Sequence, residues 1–140
     1  MTENTKHIHT SGTCLCGSVK LTADVGESVG ACHCDFCRTW GGGPLLALDG
    51  GTDLEIEGKD HITTYDSTEW AQRAFCSRCG THLYFRVNAS GRYIIPAGLF
   101  PLDDELNFDH QIFIEKRRSY YCFANETQNL TGEEVFAQAT

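Results

Sequence analysis

Seven of the eight cysteines fall in three short clusters, and this constrains the fold more than any other feature of the chain. Cys14-Leu15-Cys16-Gly17 is a C-x-C-G. Cys32-His33-Cys34-Asp35-Phe36-Cys37 is a C-x-C-x-x-C. Cys76-Ser77-Arg78-Cys79-Gly80 is a C-x-x-C-G, and Cys122 stands apart. Two cysteines two residues apart can fold a tight knuckle that turns both sulfurs to one ion, and a glycine after the second permits the sharp backbone path. C-x-C does the same from a more extended backbone. Soft thiolates select zinc or an iron–sulfur cluster over hard ions, and zinc is the expected metal. A redox disulfide between Cys34 and Cys37 is a minor reading, because no βαβ pattern surrounds the pair.

The seven divide naturally as four plus three. Cys32, Cys34 and Cys37 lie within six residues and can reach one ion together. Cys14, Cys16, Cys76 and Cys79 then form the other site and close a long loop, tying the first strand to the middle of the chain. Four thiolates saturate tetrahedral zinc, whereas three leave a position open, as zinc needs for chemistry. His33, between two ligands, is expected to point away from the metal. His82 and His110 read as core or surface histidines, and Cys122 as a core or partly buried thiol.

The chain has 140 residues, which suits one domain with its own apolar core. A net charge of -8 repels phosphate backbones and anionic lipid, and thiolate–zinc sites make the chain more negative still. Lys116-Arg117-Arg118 is the only basic run and reads as a solvated strand end. No apolar stretch approaches the length of a membrane helix, and Met1 to Gly12 has no apolar signal-peptide core. Nucleic-acid and membrane partners are therefore not expected. Reduced cysteines and a cytoplasmic location are.

Residues 1–11 read as a polar tail and residues 12–140 as one zinc-binding domain. Ser18 to Val25 alternates apolar and polar residues, a strand with one buried face. Gly26 to Gly30 reads as a turn, and Gly41-Gly42-Gly43 as a flexible lining beside the cysteine loop. Leu45–Leu48 and Leu54–Glu57 flank a hairpin signal at Asp49-Gly50-Gly51. Further strands are expected at His61–Tyr65, Gln72–Phe75 and Ile112–Ile114, with Thr81–Val87 and Tyr93–Ala97 forming a hairpin. Asp103–Leu106 suits a single helical turn. Thr131-Gly132-Glu133-Glu134 has the spacing of a capping box and starts the one helix the pattern supports. Many short strands with glycine-rich turns indicate a mainly β architecture.

Three stretches together carry a family resemblance: Gly12 to Val19, Cys32 to Arg38 with Gly42-Gly43-Pro44, and Arg73 to Leu83. They resemble the glutathione-dependent formaldehyde-activating enzyme family, whose domain centromere protein V shares. The resemblance implies a β-tent fold of several small antiparallel sheets with few helices. It implies a structural zinc on Cys14, Cys16, Cys76 and Cys79, and a second zinc on Cys32, Cys34 and Cys37. It also implies a carbon–sulfur lyase activity on S-hydroxymethylglutathione. The chain departs from the family where Gln111-Ile112 fills a His-Ile position, and where Tyr120 or Tyr121 stands for a later tryptophan.

The expected partner is thus a small-molecule thiol or thiol adduct. A site of three thiolates is a weak Lewis acid suited to a soft thiol. Cys34 is the candidate catalytic residue, as a ligand or as a nucleophile when that site is empty. Arg38, Arg73 and Arg78 are candidates for a substrate carboxylate, although surface charge is the simpler role for each. The alternative function is a non-catalytic zinc-binding β-tent module for a small ligand or a protein.

Overall fold

A computed structural model describes residues 6–138. Its strands are β1 (His7–Thr13), β2 (Lys20–Gly26), β3 (Ser28–Cys32), β4 (Leu45–Asp49), β5 (Glu55–Glu57), β6 (Ile62–Thr68), β7 (Ala71–Cys76), β8 (His82–Val87), β9 (Tyr93–Pro96), β10 (Asn107–Ile112) and β11 (Gln128–Leu130). Two short helices accompany them, α1 (Asp35–Gly41) and α2 (Gly132–Gln138). The mainly β expectation holds. The strands form a three-stranded sheet in the order β1-β2-β5, and an eight-stranded sheet in the order β11-β10-β3-β4-β9-β8-β7-β6. Not all pairs are antiparallel: β10 runs parallel to both β3 and β11. Among the described residues no helix is long and apolar enough to cross a membrane.

The core follows from alternation. Leu21, Ala23 and Val25 of β2 point inward and are buried. They belong to one apolar cluster with Val19, Leu48, Leu83, Ile95 and Phe100, so the small sheet closes over one face of the large one. Burying such side chains contributes roughly 1.5–3 kcal/mol each.

Several expectations are corrected. The polar tail expected over residues 1–11 is a strand from His7 onward, and residues 1–5 lie outside the described set. β1 pairs with β2 along its whole length, from His7↔Gly26 to Thr13↔Lys20. Polar cross-strand pairs reinforce it, with His9 Nδ1 2.7 Å from Asp24 Oδ1 and the Ser11 and Thr22 hydroxyls 2.7 Å apart. The expected turn at residues 26–30 is mostly β3. Asp49-Gly50-Gly51 does turn the chain, with Gly51 N–H donating to Asp49 Oδ1 at 2.9 Å. Yet β5 then pairs with β2, not β4, because Ile56 packs against the core opposite Leu21. The late strand ends at Ile112, since Phe113 adopts φ 54° and the backbone coils tightly over Ile114–Lys116. Asp103–Leu106 closes a single turn through Leu106 N–H to Asp103 O. The capping box is present: Glu134 N–H donates to Thr131 Oγ1 at 3.2 Å, and Thr131 N–H to Glu134 Oε1 at 2.9 Å.

One glycine couples the sheets to the cysteine sites. Gly58 has φ +88°, and a Cβ there would lie 1.9 Å from Ser18 O. The chain then coils over Lys59–His61, where His61 O accepts from Ser77 N–H in the Cys76–Cys79 knuckle. Gly58→Ala is expected to cost about 2–3 kcal/mol, from the left-handed backbone and the clash with main chain. Urea denaturation checks this; a midpoint equal to wild type would show that the backbone yields there at little cost.

Candidate metal centres and the adjoining cavity

The fold brings all seven clustered cysteines together as two groups. Cys14, Cys16, Cys76 and Cys79 have sulfurs within 4.8 Å of one another, as do Cys32, Cys34 and Cys37. The four-cysteine group is made by two facing knuckles, after β1 and after β7. Gly17 and Gly80 take φ +81° and +78°, the left-handed path their position after the second cysteine suggests. Each glycine N–H returns to the carbonyl of the first cysteine, Gly17 to Cys14 and Gly80 to Cys76. Leu15 N–H donates to Thr81 Oγ1 at 3.1 Å and locks one knuckle to the other.

Sulfur separations test whether a metal fits. Cys14 and Cys16 sulfurs are 3.6 Å apart, and those of Cys16 and Cys76 3.7 Å. Zn–S bonds of ~2.3 Å in a tetrahedron place sulfurs ~3.8 Å apart, so the donor set fits one such ion. Local hydrogen bonds favour thiolate at part of the site. The Thr81 hydroxyl brings the Cys79 thiol down to about 5, and hydrogen bonds at Ser18 lower Cys16, whereas burial pushes Cys76 up.

In the three-cysteine group, Cys32 ends β3, Cys34 caps α1 and Cys37 lies inside it. Helix α1 stands where the expectation had only a loop. Cys37 N–H donates to Cys34 Sγ at 3.4 Å, and Gly42, in the left-handed region at φ 87°, caps the other end through its N–H to Arg38 O. The glycine run is therefore a helix terminus first. Hydrogen bonds from Cys32 and Cys37 hold Cys34 far below a free thiol, while Cys32, facing both other sulfurs, is pushed far up.

His33 points away from the sulfurs, as expected, and has a specific role there. Its side chain is 1% exposed, with Nε2 2.8 Å from Gln111 Oε1 and Nδ1 bonded to the Tyr121 hydroxyl. Gln111 Nε2 donates to Thr127 Oγ1 at 2.9 Å. That turns the Gln111 carbonyl oxygen to His33, so Nε2 donates and Nδ1 accepts from Tyr121. The position where the family often has histidine is thus a glutamine that orients His33 between two cysteines. His82 stacks on Trp40 at 3.9 Å, and burial lowers its pKa. His110 binds Asp109 and Ser28. Cys122 is exposed rather than in the core. In the basic run, Lys116 lies 3.9 Å from Asp35 and all three side chains are exposed.

Arg73 overturns its expected surface role. It is 5% exposed, at the centre of β7, in register with Tyr65 on β6 and Phe85 on β8. Its guanidinium carbon lies 4.9 Å from the Trp40 ring centre and 4.8 Å from that of Phe85. Its Nη2 donates to Cys37 Sγ at 3.7 Å. Arg73 forms one wall of a cavity of about 470 Å³, with Tyr65 and Ser67 beside it and Asp35, Phe36, Thr39 and Trp40 of α1 opposite. A sequence signal existed: Arg73 shares its strand face with the buried Ala71.

The model of the glutathione-dependent formaldehyde-activating enzyme family matches residues 9–116. The chain belongs to this family. The match spans both cysteine groups and starts inside β1. A Schizosaccharomyces pombe protein described as an uncharacterized lyase is 36% identical over 126 residues, covering 89% of this chain and 92% of that protein. A Halomonas elongata protein described as a putative glutathione-dependent formaldehyde-activating enzyme is 32% identical over 83 residues, covering 52% of this chain and 53% of its own. A crystal structure of a Rhodobacter sphaeroides protein superposes with a TM-score of 0.57 at 23% identity, over 67% of this chain and 91% of that one, and supports the fold alone.

Proposed function

We propose that this member of the formaldehyde-activating family is a zinc-dependent carbon–sulfur lyase acting on a thiol–aldehyde adduct of the S-hydroxymethylglutathione kind. In the synthetic direction the S–C bond forms, the carbonyl π bond breaks and the thiol proton ends on the former aldehyde oxygen. The lyase direction reverses these changes. The observation that carries the proposal is the pair of cysteine groups, one with four sulfurs and one with three. Cys14, Cys16, Cys76 and Cys79 would hold a structural zinc. Cys32, Cys34 and Cys37 would hold a second with a position left for substrate. When bound there, zinc would supply a soft Lewis acid that favours the thiolate form of a substrate sulfur.

The protein's own groups prepare that position. Arg73 donates to Cys37 and offsets part of the negative charge of three thiolates. His33, held by Gln111 and Tyr121, fixes the backbone between Cys32 and Cys34. Trp40 and Phe36 line the cavity beside α1 and offer it an apolar surface. The partner is a small thiol or its adduct, and a reducing cytoplasmic setting would keep the ligands as thiols.

Elemental analysis of protein purified without chelator is expected to give two zinc ions per chain, matching the two sulfur groups. Exchange NMR with glutathione and ¹³C-formaldehyde should then show adduct formation and breakdown accelerated over the buffer rate. One zinc per chain with no acceleration would sink the enzyme reading and favour the non-catalytic zinc module.

A further inference from the structure

Among the described residues, three buried side-chain polar atoms have no hydrogen-bond partner: Arg73 Nε, Arg73 Nη1 and Ser67 Oγ. Both residues line the cavity beside the three-cysteine group. A buried polar donor left unmatched costs roughly 1–3 kcal/mol, and more when charged. Three in one cavity mark a place built to be matched from outside the chain. The Arg73 nitrogens are obligate donors, and the hydroxyl can donate as well, so the missing partner is an acceptor. The charge of Arg73, its burial and the Trp40 and Phe85 rings packed on its guanidinium favour an anionic one.

The neighbouring anions do not fill that role. Cys37 Sγ takes Nη2, leaving the other two nitrogens. The Asp35 carboxylate, at the same cavity, accepts from Arg38 at 2.7 Å and lies 3.9 Å from Lys116. We infer that Arg73 and Ser67 form an oxyanion site that holds a carboxylate of the ligand whose sulfur reaches the three-cysteine group. That the same ligand carries both groups rests on the function proposed above; the oxyanion site itself does not. Because Arg73 touches Cys37 Sγ, the two ends of such a ligand are separated by only a few bonds. The site thus selects short carboxylate-bearing thiols, or the carboxylate nearest the thiol in a larger one.

The test is calorimetric binding to the zinc-loaded protein, with no turnover involved. The probes are 3-mercaptopropionate, 3-mercapto-1-propanol and propionate. Wild type is expected to bind 3-mercaptopropionate at least ~10-fold tighter than the alcohol, as charge-assisted hydrogen bonds in a buried site allow. Arg73→Gln should reduce that preference to within ~2-fold, Arg73→Lys should keep part of it, and Ser67→Ala should weaken it by ~3-fold. Equal affinity of wild type for the two thiols overturns the oxyanion site, even if the arginine variants do not fold. Binding of 3-mercaptopropionate no tighter than propionate, with no binding of the alcohol, supports the oxyanion site and defeats the thiol–zinc reading. Binding of none of the three overturns the site.

Discussion

A Cys76→Ala variant is expected to melt roughly 10 °C below wild type and to lose about 3 kcal/mol or more of stability. Cys76 is fully buried at the end of β7, and it belongs both to the sulfur group and to the apolar core. The four-cysteine group joins the turn after β1 to the turn after β7, and the Cys16 and Cys76 sulfurs meet across 60 residues of chain. A metal bound only in the folded state contributes its binding energy to folding. An ion held there would also tie the turn after β1, at the edge of the small sheet, to the turn after β7 in the large one.

Chelator gives the independent check. A strong zinc chelator should lower the melting temperature of wild type by a similar amount, and should move the Cys76→Ala variant much less. Alanine removes a ligand without burying a hydroxyl, so the loss reads on the metal more than on the core. If the variant melts within about 2 °C of wild type, the four sulfurs are not a structural centre.

What was legible in the chain, and what was not, divides along physical lines. The cysteine groups were legible because ligand spacing is local: two sulfurs on one knuckle are a short-range property, and Gly17 and Gly80 mark the turns. Strand β2 was legible because Leu21, Ala23 and Val25 alternate with polar residues. Strand β1 was not, since Ile8 is its only large apolar residue and its stability comes from pairing with β2. β3 was hidden by its central Gly30. That glycine is needed because the His110 ring occupies the space a side chain would take. Helix α1 was missed because its cap is a cysteine sulfur, outside the usual serine, threonine and aspartate signals. The parallel pairing of β10 joins distant segments, which no local period encodes. Arg73 shows the limit most clearly. Charge alone suggested the surface, while its row with Tyr65 and Phe85 places it inside, against Cys37.

Changing Cys34 separates chemistry from fold. Cys34→Ala should lower turnover of a thiol–formaldehyde adduct by at least ~10²-fold and remove one zinc per chain, because two remaining thiolates hold the ion poorly. Its effect on stability should be small by comparison. Besides the ion, which here ties together only residues 32–37 rather than two distant turns, the lost contact is the helix cap from Cys37 N–H to Cys34 Sγ, worth about 1 kcal/mol. Cys34→Ser isolates the two roles, since a hydroxyl still accepts at the cap but is a harder and weaker zinc ligand. The serine variant should therefore melt closer to wild type than the alanine variant, with turnover as low as that of alanine. Metal content and rate should fall together in both, while the four-cysteine zinc stays in place. Full turnover by either variant would defeat the open-site mechanism, because a site that works without Cys34 needs neither its thiolate nor the ion it helps to hold.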